Sequence, residues 1–271
     1  MKKAYTTVLT IAGSDGSGGA GIQADMKTFS ALECYGLSVI TALTAQNTMG
    51  VNAIFPLAES CVTEQFRTIA SDIAIDAVKI GMLGSAGMIR TVAGLLRELK
   101  GNPPVILDTV LGSSGGTPLL PPEAIPLLKA ELFPLAALIT PNIPETALLT
   151  GMKYHPATQQ SIEDAAMKLL ETGAASVLVK GGHGQGETCC DCLLYDNRFF
   201  WFSSKKILTS NTHGTGCTLS SAIAAFMAKG ETTEHAVEKA KAYLNNALRA
   251  GSTFHLGKGN GPLHHHFRLW Q

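Results

Sequence analysis

The residues best suited to chemistry lie in the segment 211–217, Asn-Thr-His-Gly-Thr-Gly-Cys, which precedes a run of small and apolar residues at 218–228. The run predicts a tightly packed helix, and glycines before a helix let a ligand approach the backbone closely. The N–H groups of Gly214, Thr215 and Gly216 would be unpaired at the positive end of the helix dipole, which stabilises an anion or the charge on a transferring phosphoryl group. The pattern therefore predicts an anion hole.

A thiol follows these glycines directly. Cys217 would lie in the first turn of the helix, where the same field lowers the pKa of a thiol. A thiolate there could accept the proton of an attacking alcohol. A small buried thiol is the alternative role for such a cysteine. Because Gly-Thr-Gly precedes Cys217, we favour the catalytic role.

Two carboxylates and one ammonium follow other predicted strands. Asp108 and Glu145 each come just after an apolar run, so both acids could reach one Mg²⁺, through waters. Each could instead cap a helix or remain a solvated surface charge. Lys180 follows a further apolar run, where its ammonium could contact nucleotide phosphates or simply be solvated.

Two polar side chains nearer the N-terminus could recognise a substrate. Gln46 ends the predicted strand 37–45, and its amide offers the donor and acceptor that complement an aminopyrimidine edge. It could also satisfy loop backbone groups. Asp25 lies on the inward face of the first predicted helix, where a carboxylate needs a partner. That partner is either an amino or hydroxyl group of a substrate or the N–H groups of the helix.

A glycine loop at 16–21 matches the pattern G-x-G-x-x-G of dinucleotide-binding dehydrogenases. That pattern needs an acidic residue about 20 positions further on. No Asp or Glu occurs between Glu33 and Glu59, and the chain has no G-K-[ST] phosphate loop. An oxidoreductase and a catalytically silent binding protein are therefore minor alternatives, and we expect the loop to admit a flat substrate.

Two clusters of potential metal ligands are not expected to bind metal. Residues 189–192 hold three cysteines on one predicted strand, without the second spaced pair that zinc requires. Three consecutive histidines at 264–266 cannot easily face one ion, and we expect a polar C-terminal segment there.

Apolar runs with the length of buried strands alternate with helical spacing along the chain, which predicts an α/β fold with a mostly parallel sheet covered on both faces. The strand runs are 8–12, 37–45, 77–80, 105–107, 137–139 and 176–179. Residues 191–203 predict a hairpin, and therefore an antiparallel edge. Ligands of such sheets bind beyond the carboxyl ends of the strands, where the polar residues above are found.

Bulk properties exclude several classes of function. The 271 residues carry 21 basic and 21 acidic side chains, without the basic patch of a nucleic-acid or membrane binder. The scattered cysteines favour reduced thiols, and the first apolar stretch ends too early for a signal peptide or membrane span. We expect a cytoplasmic protein with one domain over residues 1–271 and a small-molecule substrate.

Several motifs in one order resemble the hydroxymethylpyrimidine/phosphomethylpyrimidine kinases of thiamine biosynthesis. They are GSDGSGGAGIQADMKTF, TALTAQNT, VKIGML, LDTV, ITPNIPE, VLVKGGH and NTHGTGCT. The resemblance implies a ribokinase-like α/β/α fold, usually a homodimer, and phosphorylation of the pyrimidine alcohol and then of its monophosphate with ATP and Mg²⁺. Pyridoxal kinase, which acts on a similar flat ring with a hydroxymethyl group, is the alternative.

The same resemblance assigns site residues. Those placed against the pyrimidine are Gly13, Ala20, Asp25, Gln46, Met82 and Val110. Those on the phosphate, nucleotide and metal side are Asp108, Asn142, Glu145, Lys180 and Thr212. Cys217 takes the position of the base, where many ribokinase-like enzymes carry Asp. Ser114 departs from the pattern, because similar enzymes often place a lysine there.

Overall fold

The computed structural model describes residues 4–113, 115–153, 155–182 and 187–270. Within these ranges nine strands form a single sheet. The strands are β1 Thr7–Asp15, β2 Tyr35–Asn47, β3 Gly50–Pro56, β4 Ala77–Ile80, β5 Val105–Leu107, β6 Leu138–Ile139, β7 Val177–Val179, β8 Thr188–Tyr195 and β9 Arg198–Lys205. Their spatial order is β3-β2-β1-β4-β5-β6-β7-β8-β9.

Helices cover both faces of this sheet. They are α1 Gly21–Ala31, α2 Glu59–Ala70, α3 Ala86–Glu98, α4 Ile125–Glu131, α5 Ile143–Thr150, α6 Gln159–Leu170, α7 Thr215–Ala228 and α8 Thr233–Gly251. Alternate strand residues enter opposite cores: Leu9 packs with α2 and α3, whereas Val8 packs with α1, α7 and α8. This alternation follows from the pleat of a strand. None of the helices in the described ranges has the length and apolar character needed to cross a bilayer.

The predicted α/β class is confirmed. Six neighbouring strands pair in parallel, as buried apolar runs favour. In spatial order they are β2, β1, β4, β5, β6 and β7. The predicted antiparallel hairpin is β8–β9, which closes one edge. A second hairpin, β2–β3, closes the other edge and was not predicted. Its strand β3 has no buried residue and lacks regular alternation, so the sequence carries little indication of it.

The topology brings the polar residues together at one edge of the sheet. Parallel strands end on the same side, so Asp15 at the end of β1 and Asp108 after β5 face the same region as Lys180 after β7. The turn before α7 lies over this edge and contacts both the loop after β1 and the residues after β5 and β7.

Candidate active site

The turn before α7 and the loop after β1 interlock through glycines. Gly214 has a φ of 84°, and a Cβ atom there would lie 1.8 Å from the carbonyl oxygen of Gly19. A Cβ atom on Gly19 would in turn lie 2.2 Å from the Cδ2 atom of His213. No side chain fits at either position, because real Cβ atoms do not approach so closely. The glycines thus allow two distant segments to pack backbone against backbone.

The N–H groups at the start of α7 are mostly unpaired. Thr215 donates to the carbonyl of Thr212 at 3.3 Å, so its N–H is partly used inside the turn. Within the described residues, the N–H groups of Gly214, Gly216 and Cys217 have no protein acceptor. Unpaired donors at a helix N-terminus favour an anion. The anion hole expected from the sequence therefore has three free donors, in which the N–H of Cys217 stands in place of that of Thr215.

His213 lies between Asp15 and Gln46. The Nε2 atom of His213 lies 2.8 Å from Oδ2 of Asp15 and 3.1 Å from Nε2 of Gln46. The Asp15 carboxylate also accepts the N–H groups of Ser17 and Ala20 at 2.9 and 2.8 Å, which shapes the glycine loop. Burial opposes ionisation, but these hydrogen bonds outweigh it and hold the pKa of Asp15 at about 2.

We expect Asp15→Asn to lower the free energy of unfolding at pH 7 by about 1–3 kcal/mol, because a charged acceptor of several N–H groups is lost. The pKa of Asp15 lies below its ordinary value of 3.8, so its stabilisation is present above pH 3.8 and disappears as pH falls toward 2. Urea unfolding of the variant and wild type at a series of pH values measures this difference.

The control for this experiment is Asp72→Asn, which alters an exposed carboxylate. We expect that control to match wild type at every pH. If the deficit of Asp15→Asn were the same at pH 2.5 as at pH 7, the carboxylate charge would not be what organises the loop.

Cys217 lies beside both interlocked segments. The backbone N–H of Gly21, at the start of α1, favours the ionised form of its sulfur. Burial of the sulfur raises the pKa of Cys217 to about 11, although the ammonium of Lys79 acts in the opposite direction. The lowered pKa expected from the helix terminus is therefore wrong for this structure, because desolvation outweighs the field of the helix. The position beside the unpaired N–H groups agrees with the prediction.

An ion pair lies directly beneath Gly216. The Nζ atom of Lys180 is 2.8 Å from Oδ1 of Asp108. A Cβ atom on Gly216 would lie 3.4 Å from that nitrogen and 3.6 Å from Oδ2 of Asp108. Burial works against both charges, but mutual attraction prevails, so the pKa of Asp108 is lowered and that of Lys180 is raised. The glycine turn and this pair therefore belong to one site.

Glu145 has a structural task in addition to any role in binding. Its Oε2 atom accepts the N–H of Asn142 at 2.9 Å, while Oδ1 of Asn142 accepts the N–H of Glu145 at 2.8 Å. This reciprocal capping box begins α5. The carboxylate also accepts the hydroxyl of Thr109, next to Asp108, at 3.0 Å. The helix-cap alternative for Glu145 is confirmed, and the acid still lies near Asp108.

Asp25 is wholly enclosed by protein. Lys79 donates to its two carboxylate oxygens at 2.9 and 3.0 Å, and the hydroxyls of Thr10 and Ser221 donate at 2.6 Å each. Both charged side chains are fully buried. The expected partner, a substrate group or helix N–H groups, is therefore wrong, because Lys79 and the hydroxyls already occupy the carboxylate. Asp25 instead supports the floor of the site.

The other residues that the sequence resemblance placed against the substrate lie near the buried Asp25 and Lys79. Gly13 faces Met82, whose sulfur would be 3.2 Å from a Cβ atom at that position. Ala20 precedes α1, and Val110 lines a small cavity together with Asp108. A larger cavity of about 670 Å³ also borders Met82, but its lining among the described residues excludes Gln46 and Cys217. We therefore do not assign that cavity to the reaction.

A family model described as "Phosphomethylpyrimidine kinase" matches residues 15–264. The chain belongs to this family. A hydroxymethylpyrimidine/phosphomethylpyrimidine kinase from Escherichia coli strain K12 is 45% identical over 262 residues, which cover 97% of this chain and 98% of the relative. The match confirms the resemblance carried by the motifs.

Solved structures of the family and of related kinases have the same fold. A phosphomethylpyrimidine kinase from Clostridium difficile is 43% identical and covers 89% of this chain and 99% of its own, with a TM-score of 0.78. A Staphylococcus aureus pyridoxal kinase in complex with AMP-PCP and pyridoxal is 30% identical and covers 98% and 96%, with a TM-score of 0.90. The ribokinase-like α/β fold is thus confirmed for this phosphomethylpyrimidine kinase family member.

The glycine loop at 16–21 was expected to admit a flat substrate, but its glycines pack against other parts of the protein. The space beside Gly19 holds the His213 ring, and a Cβ atom on Gly21 would lie 2.4 Å from the carbonyl oxygen of Gly13. These glycines therefore serve close packing within the protein, and neither the family nor this packing supports a dehydrogenase.

Three further expectations concern peripheral residues. Thr212 is exposed beside the turn, whereas His265 is buried against the hydroxyl of Thr218, so the C-terminal segment is not simply polar. Within the described ranges, no group of three or more metal-ligating side chains occurs, in the cysteine cluster or elsewhere. Ser114 lies outside the described residues.

Asp15, His213 and Lys79 were missed as site residues by sequence reasoning. Asp15 had a usable indication, because Asp before a glycine turn often accepts loop N–H groups. His213 stands inside the motif that was identified, but its partners are 198 and 167 positions away. Lys79 sits in an apolar strand, where only the position of Asp25 explains a buried ammonium.

Proposed function

We propose that the protein phosphorylates 4-amino-5-hydroxymethyl-2-methylpyrimidine with ATP, and then its monophosphate to the diphosphate, in thiamine biosynthesis. The observation that carries this proposal is the convergence at one sheet edge of unpaired N–H groups, the Lys180–Asp108 pair and Cys217. His213 links that cluster to the amide of Gln46. A phosphoryl-transfer centre and a group suited to an aminopyrimidine therefore lie side by side.

The transfer is an in-line displacement. The hydroxymethyl oxygen of the substrate attacks the γ-phosphorus, a new O–P bond forms, and ADP leaves as the bond to its β-phosphate oxygen breaks. The N–H groups of Gly214, Gly216 and Cys217, together with the ammonium of Lys180, balance the charge on the transferring group. Thr212 and Asn142 are proposed to face the nucleotide, and Cys217 takes the alcohol proton.

Mg²⁺ fits beside Asp108 and Glu145 as an ion held mainly by ATP phosphates and water. Both acids already accept hydrogen bonds from protein groups, so they cannot form an all-protein cage. Magnesium usually keeps several waters and uses only one or two carboxylates. When bound it would neutralise phosphate charge. We further propose a single kinase domain over residues 1–271 and a cytoplasmic homodimer.

An ATP-coupled assay of ADP release tests the function. We expect turnover with the hydroxymethylpyrimidine and with its monophosphate. Pyridoxal kinase activity is the second candidate, favoured by the TM-score of 0.90 to the pyridoxal-bound kinase. Turnover confined to pyridoxal would replace the first proposal by the second, and turnover of none of the three compounds would contradict both.

A further inference from the structure

A backbone clasp holds the tip of the β2–β3 hairpin. Thr48, at that tip, receives three consecutive N–H groups from the C-terminal part of the chain. Its hydroxyl oxygen accepts from Lys258 at 3.2 Å and from Gly259 at 3.1 Å, and its carbonyl oxygen accepts from Asn260 at 2.9 Å. We call Thr48 and residues 257–261 the clasp.

The clasp tolerates no side chain at two of its glycines. Gly257 has a φ of 73°, and a Cβ atom there would lie 2.2 Å from the Thr48 hydroxyl oxygen. A Cβ atom on Gly259 would lie 2.1 Å from the Thr48 carbonyl oxygen. The segment is therefore shaped to surround Thr48, even though residues 257–260 are exposed.

The same segment continues directly to the anion hole. The carbonyl of Gly261 accepts the N–H of His213 at 3.0 Å, and a Cβ atom on Gly261 would lie 2.0 Å from Oδ1 of Asn211. Asn211 in turn donates to the carbonyls of Gly251 and Phe254. The clasp thus holds the hairpin at one end and the turn before α7 at the other.

These contacts connect the end of β2, the clasp and His213 in a closed ring beside the site. Gln46, in β2, is two residues before Thr48, and its amide contacts His213. The N–H of His213 in turn donates to the carbonyl of Gly261 in the clasp. The hairpin lies at a sheet edge, so β3 has no further strand to fix its position. Without the clasp, the contact with His213 would be the remaining link, among the described residues of this ring, between the end of β2 and the turn before α7.

We propose that Thr48 is a positioning residue, which sets the distance between the Gln46 amide and the anion hole by closing the clasp. The inference rests on the proposed function, because it takes Gln46 as the group that recognises the pyrimidine. A displaced amide would weaken binding of the aminopyrimidine and leave the ATP side unchanged, since Asp108 and Lys180 follow the other strands β5 and β7.

Thr48→Val tests this proposal, because it keeps the shape of the side chain and removes the hydroxyl oxygen that accepts from Lys258 and Gly259. Losing about 1 kcal/mol of hydrogen bonding corresponds to a KM for the pyrimidine alcohol raised roughly fivefold to tenfold. We expect the KM for ATP and the melting temperature to stay near wild type, and Thr48→Ser to restore the wild-type KM. Gly259→Ala should produce the same pattern more strongly, by displacing the tip.

Two controls separate positioning from a general structural effect. Thr253→Val removes an exposed hydroxyl that donates to the carbonyl of Ala250, and it should change neither KM. In a Gln46→Ala background, Thr48→Val should add no further increase in the pyrimidine KM, because the two residues act through one contact. An additive increase, or equal rises in both KM values, would overturn the proposal.

Amide hydrogen exchange tests the clasp without any substrate. Thr48→Val should speed exchange at Lys258 and Gly259 by at least about fivefold, since their acceptor is lost. Unchanged exchange would overturn the proposal even with an active wild type. If the wild type turns over none of the alcohols, the proposed function fails, while faster exchange still supports closure of the clasp by Thr48.

Discussion

Replacing Cys217 by Ala is expected to reduce kcat by at least about a hundredfold, the usual range for loss of a positioned base, and to change KM much less. The sulfur lies next to the unpaired N–H groups at the start of α7, where the proposed mechanism places the hydroxymethyl oxygen that attacks the γ-phosphorus. Steady-state kinetics with the pyrimidine alcohol measures the effect. Cys61→Ala, which alters an exposed thiol on α2, is the matched control.

The pKa of Cys217 adds a pH dependence to this prediction. With a pKa of about 11, only roughly one sulfur in ten thousand is ionised at pH 7. If the thiolate is the base, kcat/KM rises about tenfold per pH unit from neutral pH toward 11, and Cys217→Ala removes that slope. A wild-type profile that is flat from pH 7 to 9, or unchanged turnover in the variant, would remove the sulfur from proton transfer.

The second large effect concerns stability. Lys79→Met is expected to lower the free energy of unfolding by about 3–5 kcal/mol, because it leaves the Asp25 carboxylate buried without its charge partner. Both side chains are fully buried and joined at 2.9 Å. Chemical denaturation followed by circular dichroism measures the loss.

The double variant Lys79→Met/Asp25→Asn removes both charges and should recover part of that loss. Lys229→Met serves as the control, since Lys229 pairs at 3.8 Å with an almost fully exposed Glu33, and exposed pairs contribute little. A double variant as unstable as Lys79→Met alone would show that packing of the lysine stem, and not the buried charge, dominates.

Local sequence patterns were sufficient to predict those parts of the fold that consist of a single strand or a single turn. The runs that form β4 and β5 are short, buried and apolar apart from Lys79, so their length and flanking residues identify them. The turn before α7 was likewise identified from glycines followed by small residues. In each case, the residue types of one short segment were enough to predict the element, although the turn before α7 also packs against the distant Gly19.

Properties that depend on distant partners could not be predicted. The pKa of Cys217 depends on how deeply the fold buries the sulfur, which no local pattern records. The role of Asp25 depends on Lys79, which lies 54 positions away. Strand β3 takes its place from pairing with β2 rather than from its own weakly patterned residues. Sequence therefore identified the chemical groups better than their electrostatic environment.

The segments that interlock are far apart in sequence, and this separation affects the order in which the protein folds during synthesis. Asp15 meets His213 across 198 positions, and Thr48 meets Gly259 across 211. Contacts of such long range form late, because a large loop must close before they stabilise anything. During synthesis, the sheet can begin to assemble well before the last segment leaves the ribosome, but a nascent chain ending before residue 257 would lack the clasp.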